Sequence, residues 1–282
     1  MNTILIITRL TFREAVRRKI ALAAIVLGIA FLVLYSLGFY FINNEFAANA
    51  GNMGARVDRV RGEAYNFLVL AGMYVVNFLG VASAALITAD SLAGEVQSGT
   101  IQSIVTKPIL RRQVVLGKWL GYAGLLFCYL LLMGGGVMVS VWLLARYTTP
   151  NPLVGLGLVY FNSLVIMTVA LAFSSRFSTL ATGGAVFGAY GVAFIGGWVE
   201  RIGALLHNQT AVNLGIFSSL LLPSEALWNK AAYLMNSPLS SLIGTTPFTS
   251  ASQPSPLMMG YSGVYLVMVL MIAIWQFQRR DL

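Results

Sequence analysis

Apolar positions along this chain gather into six long runs separated by polar stretches. The runs are Ile20–Ile42, Phe67–Ala89, Trp119–Ala145, Leu153–Phe173, Thr179–Val199 and Leu257–Phe277. None contains Asp, Glu, Lys, Arg or His. A helix needs about 20 residues to cross a hydrocarbon core of about 30 Å, and each run reaches that length. Glycine recurs inside them, as is common in membrane helices. The pattern predicts an all-α membrane protein with six transmembrane helices, forming one membrane domain over residues 1–282. The first run follows Arg17, Arg18 and Lys19 and precedes Ala48-Asn49-Ala50, a signal-peptide layout. It is longer than the roughly 7–15 apolar residues of a signal sequence, so it reads as a span.

The composition agrees. Of 282 residues 58% are hydrophobic and 10% charged, against roughly 25% charged in a soluble domain. Too little charge is present to cover a water-facing surface. The net charge is +9, but the bases flank the apolar runs and form no aromatic-plus-basic module, so they argue for orientation and not for nucleic acid. With the N-terminus cytoplasmic, twelve of the eighteen Lys and Arg residues fall inside and six outside. The positive-inside rule then selects N-in, C-in.

Three segments lie between or before the spans. In residues 1–19, Arg9, Arg13 and Arg17 stand four apart, on one helical face. They predict either an interfacial helix at anionic head groups or a basic flank that sets topology. In the extracytoplasmic stretch 200–256, Pro223-Ser224-Glu225 reads as a helix start with Ser224 as N-cap. Trp228 and Tyr233 then suit the membrane boundary. The cytoplasmic loop 90–118 reads DSLAGEVQSGTIQSIVTKPILRRQVVLGK. Ser91–Val105 can form a short surface helix capped by Asp90 or Ser91. Pro108 stops it, and Arg111 and Arg112 anchor the next element at head groups.

This loop resembles the signature of ABC-2 type transporter permeases. The resemblance rests on Glu95-x-x-x-Gly99-Thr100, then Pro108, Arg111 or Arg112, and the Gly117-Lys118 pair. The Pro223–Trp228 segment and the Arg279-Arg280-Asp281-Leu282 ending are similar too, and the layout resembles the permease group that includes the one serving nitrous-oxide reductase maturation. Val96 and Gln97 depart from the charged residues often found there. The resemblance implies a six-span half-transporter, paired with a second copy or a paralogue, with an N-terminal elbow-like interfacial helix. It also implies that 91–105 is a coupling helix docking on a cytosolic nucleotide-binding subunit in a prokaryotic plasma membrane. The contacts would come from Ser91, Glu95, Gly99, Thr100, Ile101, Ile104 and Val105. ATP and Mg would be bound by that partner, with no cofactor in this chain.

Other chemistry is thin. A phosphate-binding loop needs Gly-x-x-x-x-Gly-Lys followed by Ser or Thr. Gly117-Lys118 is followed by Trp119 and lacks the first glycine, so no ATPase activity is expected of this chain. An ion-coupled carrier is the alternative. Such carriers often bury ionisable residues, which the runs lack, although backbone carbonyls can also hold sodium. An intramembrane enzyme is poorly supplied, with His207 outside the runs and Cys128 alone. A surface carboxylate site at Glu200 or Glu225 stays open. Gly117-x-x-x-Gly121 and Gly184-x-x-x-Gly188 match a close-packing motif, with loose packing the equal alternative. The uniformly apolar spans do not identify a substrate, and a periplasmic partner remains compatible with the small external loops.

Overall fold

The computed structural model describes residues 3–49, 56–94, 110–237 and 254–279. Among them are nine helices and no strand. In chain order they are α1 (Thr3–Arg17), α2 (Lys19–Asn49), α3 (Arg56–Ala89), α4 (Arg111–Ala145), α5 (Pro152–Ser174), α6 (Thr179–Leu205), α7 (Gln209–Leu221), α8 (Ser224–Met235) and α9 (Pro256–Gln278). Six of these, α2 to α6 and α9, are long and apolar enough to cross a membrane. The protein is an all-α membrane protein.

The helices outrun their apolar runs. α4 starts at Arg111, eight residues before Trp119, because nothing between Leu110 and Trp119 breaks a helix. α2, with 31 residues, is about 46 Å long at 1.5 Å per residue. Tryptophan–arginine stacks occur at both ends of the bundle. The Arg146 guanidinium lies 4.6 Å from the Trp142 ring on α4, and that of Arg279 lies 4.4 Å from Trp275 on α9. Such amphipathic pairs suit the two membrane–water boundaries.

α3 and α5 form the centre, each with 61% of its most apolar window buried, while α2 and α9 have 11%. Leu27, Val33, Leu34 and Phe41 of α2 face outward, as lipid-facing residues do. Inside, Asn162 Nδ2 of α5 donates to Asn77 Oδ1 of α3 at 2.9 Å. Trp119 Nε1 of α4 donates to Thr168 Oγ1 of α5 at 2.9 Å. Buried polar groups without water must find such partners.

The two glycine motifs part company. At Gly117 an added Cβ would lie 2.7 Å from Ile7 Cβ, and at Gly121 it would lie 2.9 Å from the Thr8 carbonyl oxygen. These two glycines form the trough in which α1 lies against α4. At Gly184 and Gly188 an added Cβ meets nothing within 4 Å, so that motif packs against nothing among the described residues. Gly121→Val is expected to cost about 1–3 kcal/mol through overpacking. It should lower the unfolding temperature and speed proteolysis of α1. Gly124→Ala is the control, since its Cβ would lie 3.7 Å from Phe12; unfolding unchanged in both variants would remove the trough from the account.

The stretch after α6 differs most from expectation. α6 continues past Val199 to Leu205. The Asn208 side chain then caps α7, accepting from Thr210 N at 3.1 Å and Ala211 N at 3.2 Å. α7 packs backbone-to-backbone on α6. An added Cβ would lie 2.7 Å from Ala211 Cβ at Gly203, and 2.3 Å from Glu200 Cβ at Gly215. α8 turns away from α7 by 102°. Asn66 Nδ2 of α3 donates to the Met235 carbonyl at 3.0 Å, at the end of α8. The α7–α8 pair therefore enters and leaves at the same end of the bundle. Ser224 is the first helical residue, with Pro223 at the cap and no side-chain cap bond. The expected Ser224 cap is thus replaced by a residue without a capping side chain.

Candidate functional site: the root of the 90–118 loop

The end of the bundle that carries residues 90–110 is the loop end. Here Asp90–Gly94 turns off α3, and helices from across the sequence grip it. Arg18, at the joint of α1 and α2, donates from Nη1 to Asp90 Oδ2 at 2.7 Å and from Nη2 to Glu14 Oε1 at 2.6 Å. Thr179 at the start of α6 donates to Asp90 Oδ1 at 2.9 Å. Ser174 Oγ at the end of α5 accepts from both Leu92 N and Ala93 N at 3.1 Å. Lys118 of α4, only 3% exposed, donates from Nζ to the Ser91 carbonyl at 2.6 Å. Leu92 is wholly buried in a cluster with Val114, Val115, Leu171 and Phe277.

The physical logic is consistent. A chain leaving α3 exposes its last carbonyls and the amides of the turn. Buried, these must be satisfied. The Lys118 ammonium on α4 and the Ser174 hydroxyl on α5 do so, while Arg18 at the α1/α2 joint and Thr179 on α6 hold the Asp90 side chain. The base of the loop is thereby fixed to those helices.

Among the expected contact residues, Ser91 is 0% exposed. It belongs to the root and is not an exposed docking residue, because its carbonyl is held by Lys118 and its side chain is enclosed. Glu95, Gly99, Thr100, Ile101, Ile104 and Val105 lie outside the described residues. Arg9, Arg13 and Arg17 share an exposed face of α1, while Thr11 and Ala15 are buried on the opposite face. Arg111 Nη1 donates to the Gln278 carbonyl at 3.0 Å, joining α4 to α9; Arg112 is exposed. Trp228, expected at the membrane boundary, is 0% exposed and meets the Tyr74 ring edge-on at 5.1 Å between centroids. It is a core residue: α8 is wedged among α3, α5 and α6, so its amphipathic composition faces protein.

The sequence model for the ABC-2 family transporter protein matches residues 5–282. The chain belongs to this family. A search of curated proteins returns no match. Membership of the ABC-2 family makes this an ABC transporter permease, an integral membrane protein of a transport system. The family implies nucleotide binding in an ATP-binding cassette partner and none in the permease itself.

Two features escaped the sequence reading. One is the grip of Arg18, Lys118, Ser174 and Thr179 on the root. Lys118 carried a signal, being a lone cation at the start of a span. The other is a buried ion pair at the opposite, far end. Arg201 Nη2 donates to Glu225 Oε2 at 2.9 Å and to Asn229 Oδ1 at 3.0 Å. Glu225 is 2% exposed.

Proposed function

We propose that this chain is the membrane half of an ABC exporter in a prokaryotic plasma membrane, paired with a second permease copy or a paralogue. Its termini are cytoplasmic, and its 90–118 loop docks on a separate ATPase subunit that binds ATP and Mg. Family membership supports the transporter class. The root geometry supports the loop as the coupling element: hydrogen bonds and an ion pair tie the loop's base to α1/α2, α4, α5 and α6, so a displacement imposed on 95–109 reaches the spans. The excess of Lys and Arg at the loop end supports the orientation.

In this reading Glu95 is the charged contact to the ATPase, with Ile101, Ile104 and Val105 as the apolar contact. Removing one partner of a buried charged pair costs about 2–5 kcal/mol, whereas a rim charge costs little. Glu95→Ala is therefore expected to weaken co-purification of the ATPase subunit, or to leave it bound but no longer responsive to the permease. Gln97→Ala is the neighbouring control. Pull-down and ATPase rate are measured together in one membrane preparation. Wild-type behaviour of Glu95→Ala in both removes Glu95 from the interface.

A further inference from the structure

At the far end, α6, α7, α8 and the start of α9 enclose an open cleft of about 270 Å³. Glu200 of α6 lines it. Among the described residues the Glu200 carboxylate forms no ion pair, and the charge acting on it is that of its neighbour Arg201. The adjacent guanidinium, Arg201, is directed to Glu225 and Asn229. Both carboxylates feel the Arg201 guanidinium, which bonds Glu225, and Glu200 is the one on the wall of the cleft. Its position is firm, because the Gly215 contact presses the α7 backbone against Glu200 Cβ.

The rest of the lining selects the ligand. Ser219 and Ser255 add hydroxyl oxygens, and Ile216, Leu220 and Met258 form an apolar wall. Among the described residues no group of three His, Cys, Asp or Glu could hold a metal ion. An ammonium group has three donors and no acceptor, which matches one carboxylate and two hydroxyl oxygens. The apolar wall matches an alkyl body.

We propose that this cleft binds the primary ammonium group of an amphiphile, seated on Glu200, with its alkyl part along Ile216, Leu220 and Met258. The same chemistry is carried by a free long-chain amine and by an ethanolamine lipid head group. The inference rests on the transporter reading only for the use made of the site. The binding test needs neither ATPase nor transport, so the failure of either leaves the other standing.

The full chain is placed in phosphatidylcholine nanodiscs and titrated with dodecylamine near neutral pH. Saturable binding is expected, weakened on the order of tenfold in Glu200→Gln through loss of the charged partner. Glu45→Gln is expected to bind as wild type, and dodecanol is expected not to compete. Met258→Trp, at an exposed helix start, is expected to block binding while leaving Glu200 in place. Substituting phosphatidylethanolamine separates the sources: weaker apparent dodecylamine affinity identifies the lipid head group, and unchanged affinity a free amine. Equal dodecylamine binding by wild type, Glu200→Gln and Met258→Trp would overturn the site, as would displacement by dodecanol.

Discussion

Lys118→Met is expected to leave the chain inserted and helical but to uncouple it from its ATPase. The ammonium is almost fully buried and donates to the Ser91 carbonyl at 2.6 Å. A hydrogen bond from a charged group is worth about 1.5–3 kcal/mol, and its loss leaves a buried carbonyl unsatisfied. Methionine keeps much of the apolar stem's volume, so the defect comes from loss of the ammonium's polar contacts, the bond to Ser91 among them. Arg18 and Ser174 still hold Asp90 and the 92–93 amides, so the root loosens without detaching. The expected signature is ATPase subunit bound near wild-type levels, with hydrolysis no longer responsive to the permease. Lys118→Arg tests the geometry: its longer fork is expected to fit the buried space poorly and to rescue poorly. Full coupling in Lys118→Met would show that the root is gripped adequately without α4.

How much of this could be read from the chain depends on the range of the interactions. The spans were legible because a membrane helix is a local, length-limited property. The family was legible because Glu95, Gly99, Thr100 and Gly117-Lys118 lie close together in sequence. The root was not, since Arg18 and Asp90 are 72 positions apart and Ser174 is 82 from Leu92. Trp228 shows the opposite failure. Next to Glu225, Asn229 and Lys230 it has the composition of an interfacial helix. A helix that buries its charge against a partner charge looks the same as one that shows it to water. Glycine was likewise ambiguous: the Gly117 and Gly184 motifs share a spacing, and only α1, lying on the first, distinguishes them.

Removing Arg201 is expected to produce the largest single loss of stability. Glu225 lies outside the six spanning helices, at the start of α8, and burial pushes its carboxyl up to about 7 against the opposing pull of Arg201. Breaking a buried pair from one side costs about 3–5 kcal/mol, whereas replacing both partners with apolar residues is often neutral or stabilising. Arg201→Met should therefore lower the unfolding temperature strongly, and Arg201→Met with Glu225→Leu should restore much of it. The pH dependence has a definite sign. A carboxyl whose folded value is raised binds protons more tightly folded than unfolded, so stability falls as pH rises from its ordinary range through about 7. Without the guanidinium the folded value rises further. The single variant should accordingly be weakest in alkaline buffer and recover on acidification, while the double variant loses the part of that dependence carried by Glu225. Thermal unfolding in one detergent across a pH series measures all three chains. Additive losses in the double variant would mean that α8 is held by the apolar contacts of its own Trp228 and Met235, Trp228 meeting Tyr74, and not by this pair.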